Sequence, residues 1–263
     1  MGNTNATLSA TVKSTMTTDQ GLYLYGILPA PAAHELELVG LDKQPVQMHQ
    51  VDDCVFLYSA AQQNRYLASR RNLLGHERVL EDAMTAGYRN LLPLQFGLVI
   101  GDWDTVREQL VSPHSKSLVQ LFQKLTNNRE VGVKLFWDAT VELEMLMQEN
   151  DQLRQERDRL EGKTLSMEEI VSIGQSIEQA MNDRKETIIH HFQDMLNLMA
   201  VEIVENDPMT DAMIYNAAYL IPWDNESQFS QKVEALDAEF EGRLRIRYNN
   251  FTAPFNFAQI ERD

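Results

Sequence analysis

Residues that could do chemistry are few and poorly arranged for it. Cys54, in VDDCVFLYSA, is the one cysteine of the chain. A reactive thiolate needs a nearby histidine or cation. Asp52 and Asp53 stand beside it instead, and negative neighbours raise a thiol pKa. Cys54 therefore reads as a small core residue in a reducing compartment. His76-Glu77-Arg78-Val79-Leu80 lacks the second histidine of a zinc-binding H-E-x-x-H helix. His190 and His191 are adjacent on a predicted helix and point about 100° apart. His190 and Asp194 share a face, a spacing that more often gives a surface hydrogen bond than a metal site. His34, His49 and His114 lie in unrelated segments. LPLQFGLVIGD, with Gly97, Gly101 and Asp102, has the look of a nucleotide loop. It contains neither G-x-x-x-x-G-K nor G-x-G-x-x-G, and no lysine that could reach a phosphate. It reads as a core strand followed by a turn, with Asp102 or Asp104 capping the next helix. Glu142 with Glu144, and Glu156 with Asp158, read as solvated pairs on a charged helix. No catalytic, cofactor-binding or metal-ligating residue is assigned, no cofactor is expected, and the chain is read as a non-enzyme.

Charge limits the partners. The chain has 39 acidic and 23 basic residues, a formal net charge of -16. Nucleic-acid binding needs a basic face, and anionic lipid headgroups repel an acidic one. Basic or neutral partners, or purely apolar contacts, are left. No stretch reaches the roughly 18 apolar residues of a membrane span. The opening MGNTNATLSATVKSTMTT lacks the apolar centre of a secretory signal; residues 1–20 are expected to form a mobile tail.

The elements follow from periodicity. GLYLYGIL predicts a central strand buried on both faces, and PVQMHQVDDCVFLYSA two strands about a turn at Asp52-Asp53. A helical pattern spans Gln62 to Ala86, then a strand Asn90 to Ile100. TVREQLVS and SKSLVQLFQKLTNN predict two helices separated by Pro113. The polar TNNRE at 126–130 marks a boundary between an N-terminal α+β domain, 21–127, and a second domain, 128–248. In the second, EVGVKLFWD is a strand and Ala139 to Leu160 one long helix. Two helices follow, near 166–182 and 184–200, the first opened by a Ser166-x-x-Glu169 capping box. Next come VEIVEND and AMIYNAAYLIP as strands, a helix with the stripe Phe229, Val233, Leu236 and Phe240, and the strand RLRIRYNNF. Gly242 is the stop between the last two. With the extra helices (about 162–200) set aside, the order is β-α-β-β-α-β, a modified ferredoxin-like unit. The fold class is α+β.

Two features point to contacts rather than chemistry. Ala139, Leu143, Leu146, Asn150, Leu153, Arg157 and Leu160 follow a four-three spacing, a short a/d seam. It serves either intramolecular packing or a partner helix; Leu146, Leu153 and Leu160 are its candidate contacts. After the last strand, residues 249–263 place Phe251, Pro254, Phe255 and Phe257 together. Such a tail either packs between the domains or anchors a partner.

Five blocks, in order, resemble the gas vesicle protein F/L family. They are Tyr23-Leu24-Tyr25-Gly26-Ile27, His76-Glu77-Arg78-Val79-Leu80-Glu81, Leu92-Pro93-Leu94-Gln95-Phe96-Gly97, Gly132-Val133-Lys134-Leu135-Phe136-Trp137-Asp138 and Asn216-Ala217-Ala218-Tyr219-Leu220-Ile221. They cover about 22–257. Many relatives end in a Gly-Pro-Trp-Pro-Pro-Tyr type of tail, replaced here by Asn249-Asn250-Phe251-Thr252-Ala253-Pro254-Phe255. The resemblance implies a two-domain α+β protein with a structural or assembly role in gas vesicles, the gas-filled protein shells that give prokaryotic cells buoyancy. It also implies a location at the vesicle in the cytoplasm, and the main shell protein or other accessory vesicle proteins as partners. Competing expectations are a small-molecule sensor or enzyme on the ferredoxin-like domain, and a helical oligomerisation scaffold.

Overall fold

The computed structural model describes residues 21–32, 36–160, 166–240 and 242–259. The expected N-terminal tail, 1–20, lies outside them. The chain is an α+β protein in two compact units. One comprises Met1–Val131, Leu220–Trp223 and Phe251–Asp263; the other comprises Gly132–Tyr219 and Asp224–Asn250.

The first unit is built on β1 (Leu22–Pro29), whose inner six residues are all buried. β2 (Gln47–Val51) and β3 (Cys54–Ala60) form a hairpin, with Asp52 in the left-handed region at φ 52°. α1 (Arg70–Thr85) begins where Ser69 Oγ accepts from the Asn72 amide and buries Val79, Leu80, Ala83 and Met84 on one face. The expected strand 90–100 is two short pieces, β4 (Leu92–Pro93) and β5 (Val99–Ile100), joined by a turn. Both pair antiparallel with β1. The sheet order is β2-β3-β1-β4, with β5 also on β1. Gly97 sits at φ 91°, so the chain turns where continuous alternation was expected. A side chain at Gly26 would stand 3.0 Å from the Leu92 carbonyl, which explains glycine at the β1–β4 crossing.

α2 (Trp103–Val106) is capped by Asp102, whose Oδ1 accepts from the Thr105 amide at 2.7 Å. It runs through a π turn, Arg107–Val111, into α3 (Ser112–Leu125). The break expected at Pro113 is present as a kink: His114 leaves helical geometry (φ -114°, ψ 16°) inside α3. Proline there has no N–H to give, and a wider π turn, with the Ser112 amide on the Arg107 carbonyl, precedes it.

Of the second unit's strands, β6 (Asn128–Trp137), β8 (Met213–Pro222) and β9 (Leu244–Thr252) also give residues to the first. With β7 (Glu202–Glu205) the sheet order is β7-β8-β6-β9. The long helix expected from Ala139 is divided into α4 (Ala139–Glu149) and α5 (Asp151–Leu160). Asn150 leaves helical geometry (φ -104°, ψ 91°), and its Oδ1 accepts from the Leu153 amide at 3.0 Å. The residue read as a polar seam position is the N-cap of a new helix. The two helices expected after it are one, α6 (Met167–Leu196), opened by the Ser166–Glu169 capping box. α7 (Glu226–Glu239) buries Phe229, Val233 and Leu236; Gly242 at φ 74° precedes β9.

Candidate functional site

Among the described residues, each unit buries one carboxylate in a way the sequence did not announce. In the first unit this is Glu130, near the start of β6 and 4% exposed. Its oxygens accept from the Asn256 backbone amide at 2.9 Å and from Asn256 Nδ2 at 2.6 Å. Burial pushes its carboxyl up to about 7, against the opposing pull of those bonds. The contact fixes a tail turn in which the Phe257 and Ala258 amides return to the Pro254 carbonyl. Aromatic residues are held alongside. The Lys124 ammonium lies 5.4 Å from the Phe257 ring centroid, and the Arg129 guanidinium 5.1 Å from that of Phe251. Arg89 and Arg129 each approach the Trp223 ring at 4.6 Å.

The same unit has a neutral polar network under α1. His76 Nε2 must donate to the Leu94 carbonyl, 3.0 Å away, because that oxygen only accepts. Nδ1 then accepts from the Tyr23 hydroxyl at 2.9 Å, and that hydroxyl accepts from the Gly97 amide at 3.0 Å. Burial pushes His76 down to about 4, so the ring is neutral near neutrality. Tyr23 is pushed up, again by burial. The histidine braces the turn of LPLQFG; its acid–base capacity is spent on structure.

In the second unit the buried carboxylate is Glu142, with no exposed side-chain surface. Asp138 caps α4 through the Thr140 and Val141 amides and so fixes the helix turn that carries Glu142. Arg184 Nε on α6 reaches Glu142 at 2.6 Å, and Arg243 contributes two bonds at 3.0 and 2.9 Å. Arg184 also binds Glu149 at 2.6 Å. Burial pushes the Glu142 carboxyl up, but the bonds from Arg243 and Arg184 outweigh it and hold the group below the ordinary carboxylate value. Arg184 and Arg243 line an open cleft of about 540 Å³ with Leu146, Ile188, His191 and Phe240. Both guanidiniums are already answered by carboxylates, so the cleft wall is a strut that ties α4 to α6 and to the start of β9. Cys54 is buried, and burial followed by the Asp53 and Asp52 charges pushes its thiol up to about 11, the direction read from the sequence. Among the described residues, no group of three or more His, Cys, Asp or Glu is placed to hold a metal ion. No described helix is long and apolar enough to cross a membrane.

A family model described as gas vesicle synthesis protein GvpL/GvpF matches residues 21–259. Gas vesicle protein F of Dolichospermum flosaquae is 58% identical over 240 residues, 91% of this chain and 98% of that protein. The chain belongs to the GvpL/GvpF family of gas vesicle proteins. Its fold is that of a solved member, the crystal structure of gas vesicle protein GvpF from Anabaena sp. PCC7120. The TM-score is 0.87 at 57% identity, covering 93% of this chain and all of that one. Gas vesicle protein L1 of Halobacterium salinarum is a distant relative, 22% identical over 271 residues and 94% of each chain. Family membership locates the chain with the gas vesicle.

The family blocks read from the sequence can now be given physical roles. Tyr23, His76, Leu94 and Gly97, drawn from three of the five blocks, form the single network beneath α1. Of the tail residues singled out as contacts, Phe257 is 1% exposed and Pro254 is buried. Phe251 and Phe255 are partly buried against the first unit's core beside Ala253. Leu146 and Leu153 meet in a small cluster with Met147, flanked by Leu143, Ile177, Ala180 and Met181. The side chain of Leu160 lies outside the described residues. Sequence reasoning missed both buried carboxylates: Glu142 was read as solvated, and Glu130 fell in a segment read as a polar break.

Proposed function

We propose that the chain is a non-catalytic assembly or structural component of gas vesicles, binding the small apolar shell subunit or other accessory vesicle proteins during shell formation. The observation that carries this reading is the family match across residues 21–259. The buried polar groups support it too. His76, Glu142 and Glu130 are each held by fixed partners, an arrangement that serves rigidity. Within this reading the second unit is a modified ferredoxin-like domain: the β6-α-β7-β8-α7-β9 order and the sheet order β7-β8-β6-β9 fit that topology. Phe251 and Phe255, partly buried, keep some surface that could meet a partner. Phe257 and Pro254 hold the tail down.

The test is capture of tagged chain co-expressed with the main shell subunit, washed at low and high salt. Retention at high salt is expected for an apolar contact, and Phe255→Ser should weaken it without loss of folding. Absence of capture with the shell subunit and with every accessory vesicle protein would overturn the reading.

A further inference from the structure

The second unit's sheet ends on β9, last in the order β7-β8-β6-β9 and bonded to β6 on one side. Among the described residues no strand pairs its other edge, and Leu244–Arg247 make no main-chain bond outside the sheet. The burial agrees. Every residue of the inner strand β8 but its last is buried, whereas Ile246 and Tyr248 of β9 are only partly so. A bare edge is a template for another strand.

What this edge carries sets the sign of that strand. Arg245 and Arg247 are exposed, and both guanidiniums lie over one ring, Phe136 of β6, at 4.5 and 5.1 Å from its centroid. Lys134 shares that face of β6 by alternation. None of the three cations has an ion pair among the described residues. The carboxylates near them in the chain are engaged elsewhere. Asp138 caps α4, Glu142 holds Arg243 and Arg184, and Glu226 accepts from Tyr248. Glu202 stands on β7, at the far edge of the sheet. Glu241 lies outside the described residues; it is one acid against three cations.

A second copy pairing edge to edge about Ile246 would set arginine against arginine. Nucleic acid would find the one ring here already covered, Phe136 being 8% exposed, in a chain of net charge -16. Arg245 and Arg247 stand roughly 7 Å apart, the repeat of alternate side chains on an extended strand. A planar guanidinium takes a carboxylate through two bonds. An extended segment with a carboxylate at every second position matches both the spacing and the sign. We propose that the open edge of β9, at Leu244–Arg247, takes an acidic segment of another protein as an added strand, with alternate carboxylates on Arg245 and Arg247. The edge belongs to the second unit and the tail aromatics to the first, so either contact can fail without the other.

Two labelled peptides of about nine residues test this on the full chain by fluorescence anisotropy. They share one composition; the first alternates glutamate and valine, and the second has its glutamates in a block. The alternating peptide should bind, and the block peptide should bind about tenfold more weakly. Methylating every main-chain nitrogen of the alternating peptide keeps its charge and should abolish binding. Arg245→Gln with Arg247→Gln should weaken binding about tenfold. Arg245→Lys with Arg247→Lys keeps the charge but uncovers Phe136 in the same way, so it separates lost attraction from lost folding. It should retain clearly more binding than the glutamine variant. Amide exchange should slow at Leu244–Arg247 when the alternating peptide is present. Equal affinity for the two peptides, for the methylated peptide, or for the wild type and the glutamine variant would overturn the proposal. So would equal loss in the lysine and glutamine variants, protection only elsewhere, or failure of the alternating peptide to bind. A wild-type dimer in sedimentation that the glutamine variant dissolves would also overturn it.

Discussion

Two buried carboxylates, one in each unit, have met the same desolvation by opposite means. Glu142 is enclosed by Arg184 and Arg243 and stays ionised, held below its ordinary value. Glu130 is enclosed by amide donors from Asn256, and burial carries it up to about 7. The lesson is that burial alone does not set the charge of a group; what closes around it does. The first unit relies on neutral or protonatable groups, with His76 and Tyr23 as further members. The second relies on full charges, set among helices rich in them.

The largest expected effect comes from breaking the charged solution. Glu142→Ala leaves the partly exposed Arg243 without its carboxylate and should destabilise the second unit by about 3 kcal/mol, the low end for a broken buried pair, read from urea unfolding. Glu142→Leu with Arg243→Leu removes both partners while Arg184 keeps Glu149, so it should lose clearly less. If the double variant is worse than the single, the ion cluster contributes more than its repair.

The neutral solution should show itself in pH dependence. Glu130 has a folded pKa of about 7 against an ordinary 4.5, so it binds its proton more tightly when folded. Its contribution is fully present below 4.5 and is lost as pH rises to about 7. His76 is depressed to about 4 from 6.5. Its neutral form is the one the fold accepts, so its contribution is present above 6.5 and lost as pH falls through about 4. The two slopes oppose each other in the first unit. Glu130→Gln removes one of them. Its stability relative to the wild type should therefore rise by about 3 kcal/mol between pH 4.5 and pH 7.5, followed by chemical denaturation at several pH values. A constant difference would show that Glu130 does not titrate in that window.

Smaller effects sharpen the same contrast. Tyr23→Phe strips the Gly97 amide and His76 Nδ1 of their partner and should cost about 1–3 kcal/mol, with faster exchange of the Gly97 amide. Asn150→Ala removes the cap between α4 and α5 and should cost about 1 kcal/mol, seen as a modest fall in melting temperature. A rise on that substitution would mean that the continuous helix is the better structure and the break is imposed from outside it.

What could be read in the sequence was whatever depends on near neighbours. The uncharged apolar run of β1, the alternation in β9, the Ser166–Glu169 box, the Asp102 cap and the Gly242 stop are local, and each is found where its residues stand. The breaks were harder. Asn150 fits a seam position as well as it fits a cap, and only the φ/ψ change tells them apart. The span 90–100 kept its apolar residues but lost its continuity at Gly97, because one turn lets two short pieces pair with β1. The buried carboxylates were out of reach for a plainer reason. Arg243 stands 101 residues from Glu142 and Asn256 stands 126 from Glu130, so no window on the sequence holds both partners. A glutamate in a charged helix and one in a polar break look alike until the chain has folded.

Deletion and complementation test the assembly role most directly. In a gas vesicle-forming cell that lacks its own relative of this chain, intact vesicles should be absent or few by electron microscopy. Expression of the wild-type chain should restore them, and Glu142→Ala should restore them less at equal expression. Normal numbers of intact vesicles in the deletion strain, with no chain supplied, would contradict a role in assembly.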